Sequence, residues 1–289
     1  MRVRTCPEPT VFNKMLTGRR LGFVLLSLFL LLGLLPASPA GAADSWELAP
    51  GLSVVRYKPD RNLFSGNLNI VVLKIDPSRY DFTVESVSRP NSEPGTLREW
   101  ARRKRLSACI NASMYREDGR TSTGLLRDRE MVNNSRINKR FGAFFVFHPQ
   151  GEGLAPVAIL DRYVHKDWEE RLSRYRSAVQ NYRMIGADGL PAWPEGGDPT
   201  CIAAVGMDRK GMVLFIFSEA PFTPRGLSDE LLALPLDLTA LMYSEGGPPA
   251  GLFVSAGGTE EFWTAGLQGA LVPSVLGIRP KEGNAGGGK

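Results

Sequence analysis

Short apolar runs of strand length, separated by glycine, proline and aspartate, recur along most of this chain. They set what it can fold into. Residues 69–75 (NIVVLKI), 141–148 (FGAFFVFH), 212–217 (MVLFIF) and 238–243 (LTALMY) each suit a buried strand and are short for a buried helix. Residues 52–57 (LSVVRY), 80–87 (YDFTVESV) and 107–110 add further strands, and 151–159 reads as a hairpin. A strand, a tight turn at Arg127-Asp128-Arg129 and a second strand fit residues 123–132, and 201–207 pairs with 212–217 across Asp208-Arg209-Lys210-Gly211. Helical signals are few. Thr96 caps TLREWARRKR, with Leu97, Trp100 and Ala101 on one face and basic residues on the other. Trp168, Leu172, Tyr175 and Val179 have the spacing of one helix face over 167–179, and Ser228 caps SDELLALP. Strands that do not alternate regularly with helices predict an α+β fold of mixed, mostly antiparallel sheets with two or three helices.

The first 43 residues read as a secretory leader. Arg2, Arg4, Lys14, Arg19 and Arg20 precede the apolar run LGFVLLSLFLLLGLL, and the small-residue stretch PASPAGAA follows it. The expected boundaries are a signal peptide over 1–43, one domain over 44–280 and a disordered tail over 281–289. Without the leader, formal net charge falls from +5 to +1. Charge therefore gives no argument for a nucleic-acid partner. The cluster Arg98, Arg102, Arg103, Lys104 and Arg105 reads as the solvated face of the first helix. No membrane span is expected once the leader is removed, and the oligomeric state is left open. Cys109 and Cys201 both lie in apolar runs and are expected as two buried thiols, with a disulfide between them as the alternative. No P-loop, dinucleotide fingerprint or metal-ligand spacing is present, so no cofactor or metal is expected. His148 and His165 have no nucleophile beside them in sequence, which disfavours a Ser-His-Asp hydrolase.

Residues 236–254 (LDLTALMYSEGGPPAGLFV) hold the most chemistry in the smallest space. A strand ends in Glu245, and Gly246 and Gly247 follow. Such an arrangement fixes a carboxylate and lets a ligand approach the backbone. It is also what a plain hairpin turn with a solvated glutamate looks like. Glu219, at the end of VLFIFSE, is a second acid at a strand end. Asn111 and Ser113 close the strand ACIN with the sequence NASMY, and Gln180 leads QNYRMI, which includes Arg183.

Taken in order, these segments resemble the phosphodiester glycosidase family, of which this chain would be a divergent, bacterial-type member. The likeness spans about residues 69–280. Asn111-Ala112-Ser113-Met114-Tyr115 stands where the family has an NGGFF-like motif, and GAFFVF looks like its core strand. Gln180 to Ile185 is similar to the Q-x-G-P-x-L segment. TCIAAVGMDRKGMVLFIF matches a hairpin, Tyr243-Ser244-Glu245-Gly246-Gly247 an LDGG-like end, and Val272-Pro273-Ser274-Val275-Leu276-Gly277 a V-P-x-x-L-G-like end. The resemblance implies an exported hydrolase of glycosyl phosphodiesters or related envelope glycans, periplasmic or secreted, with a carbohydrate or sugar-phosphate ligand. It implies Glu245 and Glu219 as catalytic carboxyls. The implied substrate-binding residues are Asn111, Ser113, Gln180, Arg183, Gly246 and Gly247.

The departures concentrate at the site. The family's arginine falls on Ile202, its aspartate on Glu245, and its third glycine and following serines on Pro248, Pro249 and Ala250. Proline has no N–H to offer an anion. The alternative implied by these changes is an inactive relative that binds a glycan or an envelope partner. Arg183 is the candidate to replace the missing cation.

Overall fold

The computed structural model describes residues 3–5, 44–59, 68–266 and 269–282. The expected leader, apart from Val3–Thr5, and the expected tail beyond residue 282 lie outside the described residues. In chain order the first elements are β1 (Val3–Thr5), β2 (Asp44–Ala49), β3 (Leu52–Tyr57), β4 (Ile70–Ile75), β5 (Tyr80–Ser86), α1 (Leu97–Lys104) and β6 (Ala108–Asn111). Then come β7 (Leu126–Asp128), β8 (Met131–Asn134), β9 (Ala143–Pro149), β10 (Val157–Asp161), α2 (Trp168–Ser173), β11 (Tyr175–Asn181) and β12 (Arg183–Ile185). The last are β13 (Ile202–Asp208), β14 (Val213–Ser218), α3 (Pro224–Ala233), β15 (Leu238–Gly246), β16 (Gly251–Ala256), β17 (Thr259–Thr264) and β18 (Ser274–Pro280). The fold is α+β, as the sequence predicts.

Three sheets enclose one core. The seven-stranded sheet runs β12-β15-β13-β14-β4-β3-β2, the six-stranded sheet β1-β17-β16-β6-β18-β5, and the five-stranded sheet β10-β9-β11-β7-β8. Every described strand pair is antiparallel except β1 with β17. Successive side chains point to opposite faces of a strand, so strands apolar at every position must be covered on both sides. On β14, Val213, Phe215 and Phe217 enter the central core, while Leu214 and Ile216 pack outward with Leu227 and Leu231 of α3. On β9, Phe145 and Phe147 point inward and Phe144 and Val146 outward to Leu172 of α2. On β6, Ile110 points inward and Cys109 outward to Leu97 and Trp100 of α1. Each sheet thus has one helix on its outer face. Each fully buried Phe or Leu contributes about 2 kcal/mol.

Local chemistry sets the helix ends. Thr96 makes a capping box with Glu99, and Arg105 closes α1 in the left-handed region at φ 52°. The basic face of α1 is exposed at Arg102, Arg103 and Arg105, whereas Arg98 is half-buried over Phe262, and Arg98 and Arg102 both meet Glu260. The expected cap of α3 is displaced. Thr223 caps it, accepting from Gly226 N at 3.0 Å with Pro224 in the first turn, whereas Ser228 lies inside and donates to Pro224 O at 2.9 Å.

Two further expectations are corrected. The helix expected over 167–179 stops at Ser173, and Tyr175–Asn181 is a strand between β9 and β7. Tyr175 and Val179 are four apart, a spacing that also satisfies a period of two, and pairing on both sides outweighs helical propensity. The two cysteines are not alike. Cys109 is a buried free thiol whose pKa is raised by burial, while Cys201 is disulfide-bonded, and not to Cys109.

Candidate functional site

The segment after β15 is not a hairpin turn. β15 belongs to the seven-stranded sheet and β16 to the six-stranded one, so Gly247 to Ala250 carries the chain from one sheet to another. Gly247 sits at φ +69°, where a side chain would be strained, and its N–H donates to Cys201 O at 3.0 Å. Asn111, at the end of β6, holds the crossing. Its Nδ2 donates to Pro249 O at 2.8 Å and its Oδ1 accepts from Gly251 N at 2.8 Å. Pro248 stands exposed and Pro249 is half-buried. The five-stranded sheet reaches the same point through Asn181, whose Nδ2 donates to Ser244 O at 3.1 Å. Ends of strands from all three sheets therefore meet beside Glu245.

The register of β15 shifts there. Tyr243 faces Ala204 and Glu245 faces Ala203, which leaves Ser244 as the extra residue of a bulge. A bulge re-aims the side chains that follow it. The Ser244 hydroxyl is buried without a partner among the described residues. Glu245 is 8% exposed and takes one described hydrogen bond, from Gly246 N to Oε1 at 3.0 Å. Burial disfavours its ionised form and lifts its pKa to about 7, against the smaller opposing pull of the Gly246 N–H. Burial, with the charge of Glu245 as a smaller cause, also raises the phenol pKa values of Tyr243 and Tyr115, so both stay protonated at neutral pH. A Cβ at Gly246 would overlap Tyr243 Oη, which is why that position has no side chain.

The other predicted residues are spread around this point. Ser113 Oγ donates to Met114 O at 2.9 Å and meets Ser122 Oγ at 2.8 Å. Gln180 is fully buried. Its Oε1 accepts from Leu125 N at 3.1 Å and Asn138 N at 2.9 Å, and its Nε2 donates to Asn138 O at 2.8 Å and Phe141 O at 3.0 Å. Arg183 Nη1 donates to both oxygens of Asp161, at 3.2 and 3.0 Å, and its guanidinium lies over Tyr163. Glu219 lies just past β14, two strands from β15 at the same end of the sheet. Its Oε2 accepts from Asn69 N at 3.0 Å and Asn69 Nδ2 at 2.8 Å. Ile202 is fully buried beneath α3, opposite Gly246. No cation arises from that position.

Tyr243, Tyr115 and Asn181 are site residues that the sequence reading passed over. Each adjoins a residue it named: Tyr243 lies two before Glu245, Tyr115 closes NASMY, and Asn181 follows Gln180. Among the described residues, no group of three His, Cys, Asp or Glu side chains could hold a metal ion. Also among them, no helix is long and apolar enough to cross a membrane. What the site offers is one carboxyl able to give or take a proton near neutrality, with the Tyr243 hydroxyl packed against the adjoining Gly246.

No family model matches the sequence, and no curated protein matches it. Solved structures do match in shape. A hypothetical protein from Synechocystis aligns with a TM-score of 0.60 at 11% identity, over 84% of this chain and 64% of that one. This chain therefore spans less than two thirds of that protein. The catalytic domain of zebrafish N-acetylglucosamine-1-phosphodiester alpha-N-acetylglucosaminidase, in a form auto-inhibited by its pro-peptide, aligns with a TM-score of 0.60 at 10% identity, over 83% of this chain and 88% of that one. At such identities the likeness is one of fold.

Proposed function

We propose that this chain is an exported hydrolase of glycosyl phosphodiesters or related envelope glycans, with residues 44–280 as its catalytic domain and Glu245 as its proton-transfer residue. The observation that carries the reading is a nearly buried carboxyl with a pKa of about 7, at a point where three sheets meet. The fold likeness to the zebrafish phosphodiester glycosidase domain supports it. The apolar leader of the sequence supports a periplasmic or secreted location.

The chemistry follows from the leaving group. A phosphomonoester is a stable anion and departs from an anomeric carbon with little need of a proton. The demand falls on the nucleophile. In its ionised form Glu245 takes a proton from water as the water oxygen bonds to the anomeric carbon. The carbon–oxygen bond to phosphate breaks, and the phosphomonoester leaves with the electron pair. Tyr115 and Tyr243 donate hydrogen bonds to the sugar or the phosphate. Glu219 is the candidate second carboxyl that a two-carboxyl mechanism requires, and Gly246 and Gly247 form the wall against which the sugar rests.

A second reading, a glycan binder without turnover, is favoured by one set of observations. Asn111, Ser113, Gln180 and Arg183 spend their polar atoms on the protein itself, and Ile202 supplies no cation. The deciding experiment assays the mature protein and Glu245→Gln on a panel of sugar-1-phosphodiesters. Turnover by the native protein that falls at least about a hundredfold in the variant upholds the hydrolase. Equal rates in both remove Glu245 from the mechanism. Binding without turnover by the native protein establishes the second reading.

A further inference from the structure

Two loops at one end of the five-stranded sheet carry positive charge and no acid. Residues 135–140 (SRINKR) and 162–166 (RYVHK) hold Arg136, Lys139, Arg140, Arg162 and Lys166, with no Asp or Glu among them. Arg162 is half-buried and the other four cations are exposed. Interleaved with them are Ile137, Tyr163 and Val164, which are 40%, 61% and 39% exposed. Single apolar side chains on a surface are ordinary. Here three of the seven large ones exposed among the described residues fall within these two loops.

Principles of packing make the two loops one surface. Arg162 N donates to Gly142 O at 2.9 Å, and Arg162 Nη1 donates to Lys139 O at 3.3 Å. The Tyr163 ring lies against Gly142, where a Cβ would come within 2.7 Å of it. The Arg162 guanidinium is 5.7 Å from the Tyr163 ring centroid and 5.2 Å from that of Trp168, and Trp168 and Ile137 line the same open groove. Each loop is also pinned from beneath. Asn138 N donates to Gln180 Oε1 at 2.9 Å, and Asn138 O accepts from Gln180 Nε2 at 2.8 Å. Asp161 Oδ1 accepts from Tyr163 N at 2.9 Å, and Asp161 O accepts from Val164 N at 3.2 Å and His165 N at 2.8 Å. Fixed backbone therefore holds these apolar side chains out toward water. Of the bordering acids, Asp161 is buried and paired with Arg183, and Asp167 is paired with Arg171. Glu169 and Glu170 on α2 and Asp188 after β12 are exposed beyond the two loops.

A bilayer with anionic headgroups attracts clustered cations, and tyrosine and aliphatic side chains enter its headgroup layer. A soluble polyanion would engage the cations and leave Ile137, Tyr163 and Val164 unused. We propose that residues 135–140 and 162–166 dock this protein on an anionic phospholipid surface. Ile137, Tyr163 and Val164 enter the headgroup layer, and the five cations meet lipid phosphates. Ala143, just past the patch, pairs with Asn181, whose Nδ2 reaches Ser244 O beside Glu245. Docking thus brings that end of the five-stranded sheet toward the membrane. The inference goes beyond the reading of Glu245 and does not depend on it.

The test is co-sedimentation of the mature protein with vesicles of phosphatidylcholine alone and of phosphatidylcholine mixed three to one with phosphatidylglycerol. Each Lys or Arg near an anionic surface contributes about fivefold in partition. Binding to the mixed vesicles is expected to be at least about tenfold tighter, and to weaken at least about tenfold as sodium chloride rises from about 0.05 to 0.5 M. The pair Lys139→Glu/Arg140→Glu should weaken it at least about tenfold. Tyr163→Ser should weaken it about three- to tenfold. Because Tyr163 also packs on Arg183, the pair Ile137→Ser/Val164→Ser repeats the apolar test without that contact, with a similar loss. Gel retardation by dextran sulfate is the control: the charge-reversed pair loses it and the apolar variants keep it. Equal binding to both vesicle types, or no loss in the charge-reversed pair, overturns the inference. Native-like vesicle binding by both apolar variants also overturns it and marks the patch as a site for soluble polyanions. Vesicle binding as expected, without turnover of sugar-1-phosphodiesters, upholds the docking surface and sinks the hydrolase, and turnover without vesicle binding does the reverse.

Discussion

Replacing Glu245 with glutamine should remove turnover and, above neutral pH, make the protein more stable. Burial raises the carboxyl pKa from 4.5 to about 7. Below the unfolded value both states hold the proton and the group has no effect on the pH dependence. Between the two values the folded state binds more protons than the unfolded one, so stability falls as pH rises. Above about pH 7 the full cost of ionising a nearly buried carboxylate is present. A shift of that size corresponds to about 3 kcal/mol. Glutamine has nearly the same shape, carries no charge, and can still accept from the Gly246 N–H. Some of the gain is lost to burying the glutamine NH2, so a stabilisation of about 1–3 kcal/mol is expected near pH 8. That is a rise of several degrees in melting temperature for a chain of this size. Melting curves of both proteins by circular dichroism between about pH 5 and pH 8 read the effect. The curves should converge at the acid end and separate with the variant above. A variant that melts at or below the native protein across the range, with a gap that does not change with pH, would refute the argument from burial.

Three other substitutions probe the surrounding structure. Asp128 is fully buried. Burial alone would raise its pKa, but hydrogen bonds from His148, Ser177 and Val84 N outweigh that and hold it at about 2, and Arg89 bonds to the same carboxylate. Its contribution is present above the unfolded carboxyl pKa and fades as pH falls toward about 2, so Asp128→Asn should cost about 2–3 kcal/mol at neutral pH in urea titrations and flatten the acid limb of stability. Asn111→Ala removes both hydrogen bonds that hold the crossing between sheets, and should cost about 1–3 kcal/mol together with most of the proposed turnover. Gly246→Ala forces Tyr243 Oη away from its place, and should destabilise by about 1–3 kcal/mol in thermal melts and lower the rate more than it raises KM.

The fold was legible because its strands are apolar on both faces. FGAFFVF and MVLFIF have no polar side to present to water, so a core on one face and a helix on the other are nearly dictated. Less was legible where one spacing fits two periods, as at Tyr175 and Val179, or where a cap and an interior hydroxyl look alike, as at Thr223 and Ser228. The strands β2 and β17 were passed over, since DSWELA and TEEFWT alternate weakly and depend on neighbours distant in sequence. Glu245 was visible as an acid before two glycines. Its near-burial was not, because that depends on β6 and β11 arriving from other sheets.

The same geometry explains why the predicted binding residues behave differently from Glu245. Asn111 and Gln180 are polar groups at the closed ends of buried strands, where an unpaired amide costs about 1–3 kcal/mol. The chain meets that cost internally: Asn111 ties the crossing at Pro249 and Gly251, and Gln180 ties the segment at Asn138 and Phe141. Glu245 follows a bulge, at a place where the ladder is already interrupted. There only the Gly246 N–H reaches it among the described residues. The saturated amides fix the crossing and the loop beside them. The carboxyl they surround is left with capacity to bind a proton or a ligand, and that contrast in satisfaction, more than any single motif, singles out Glu245 as the residue to test.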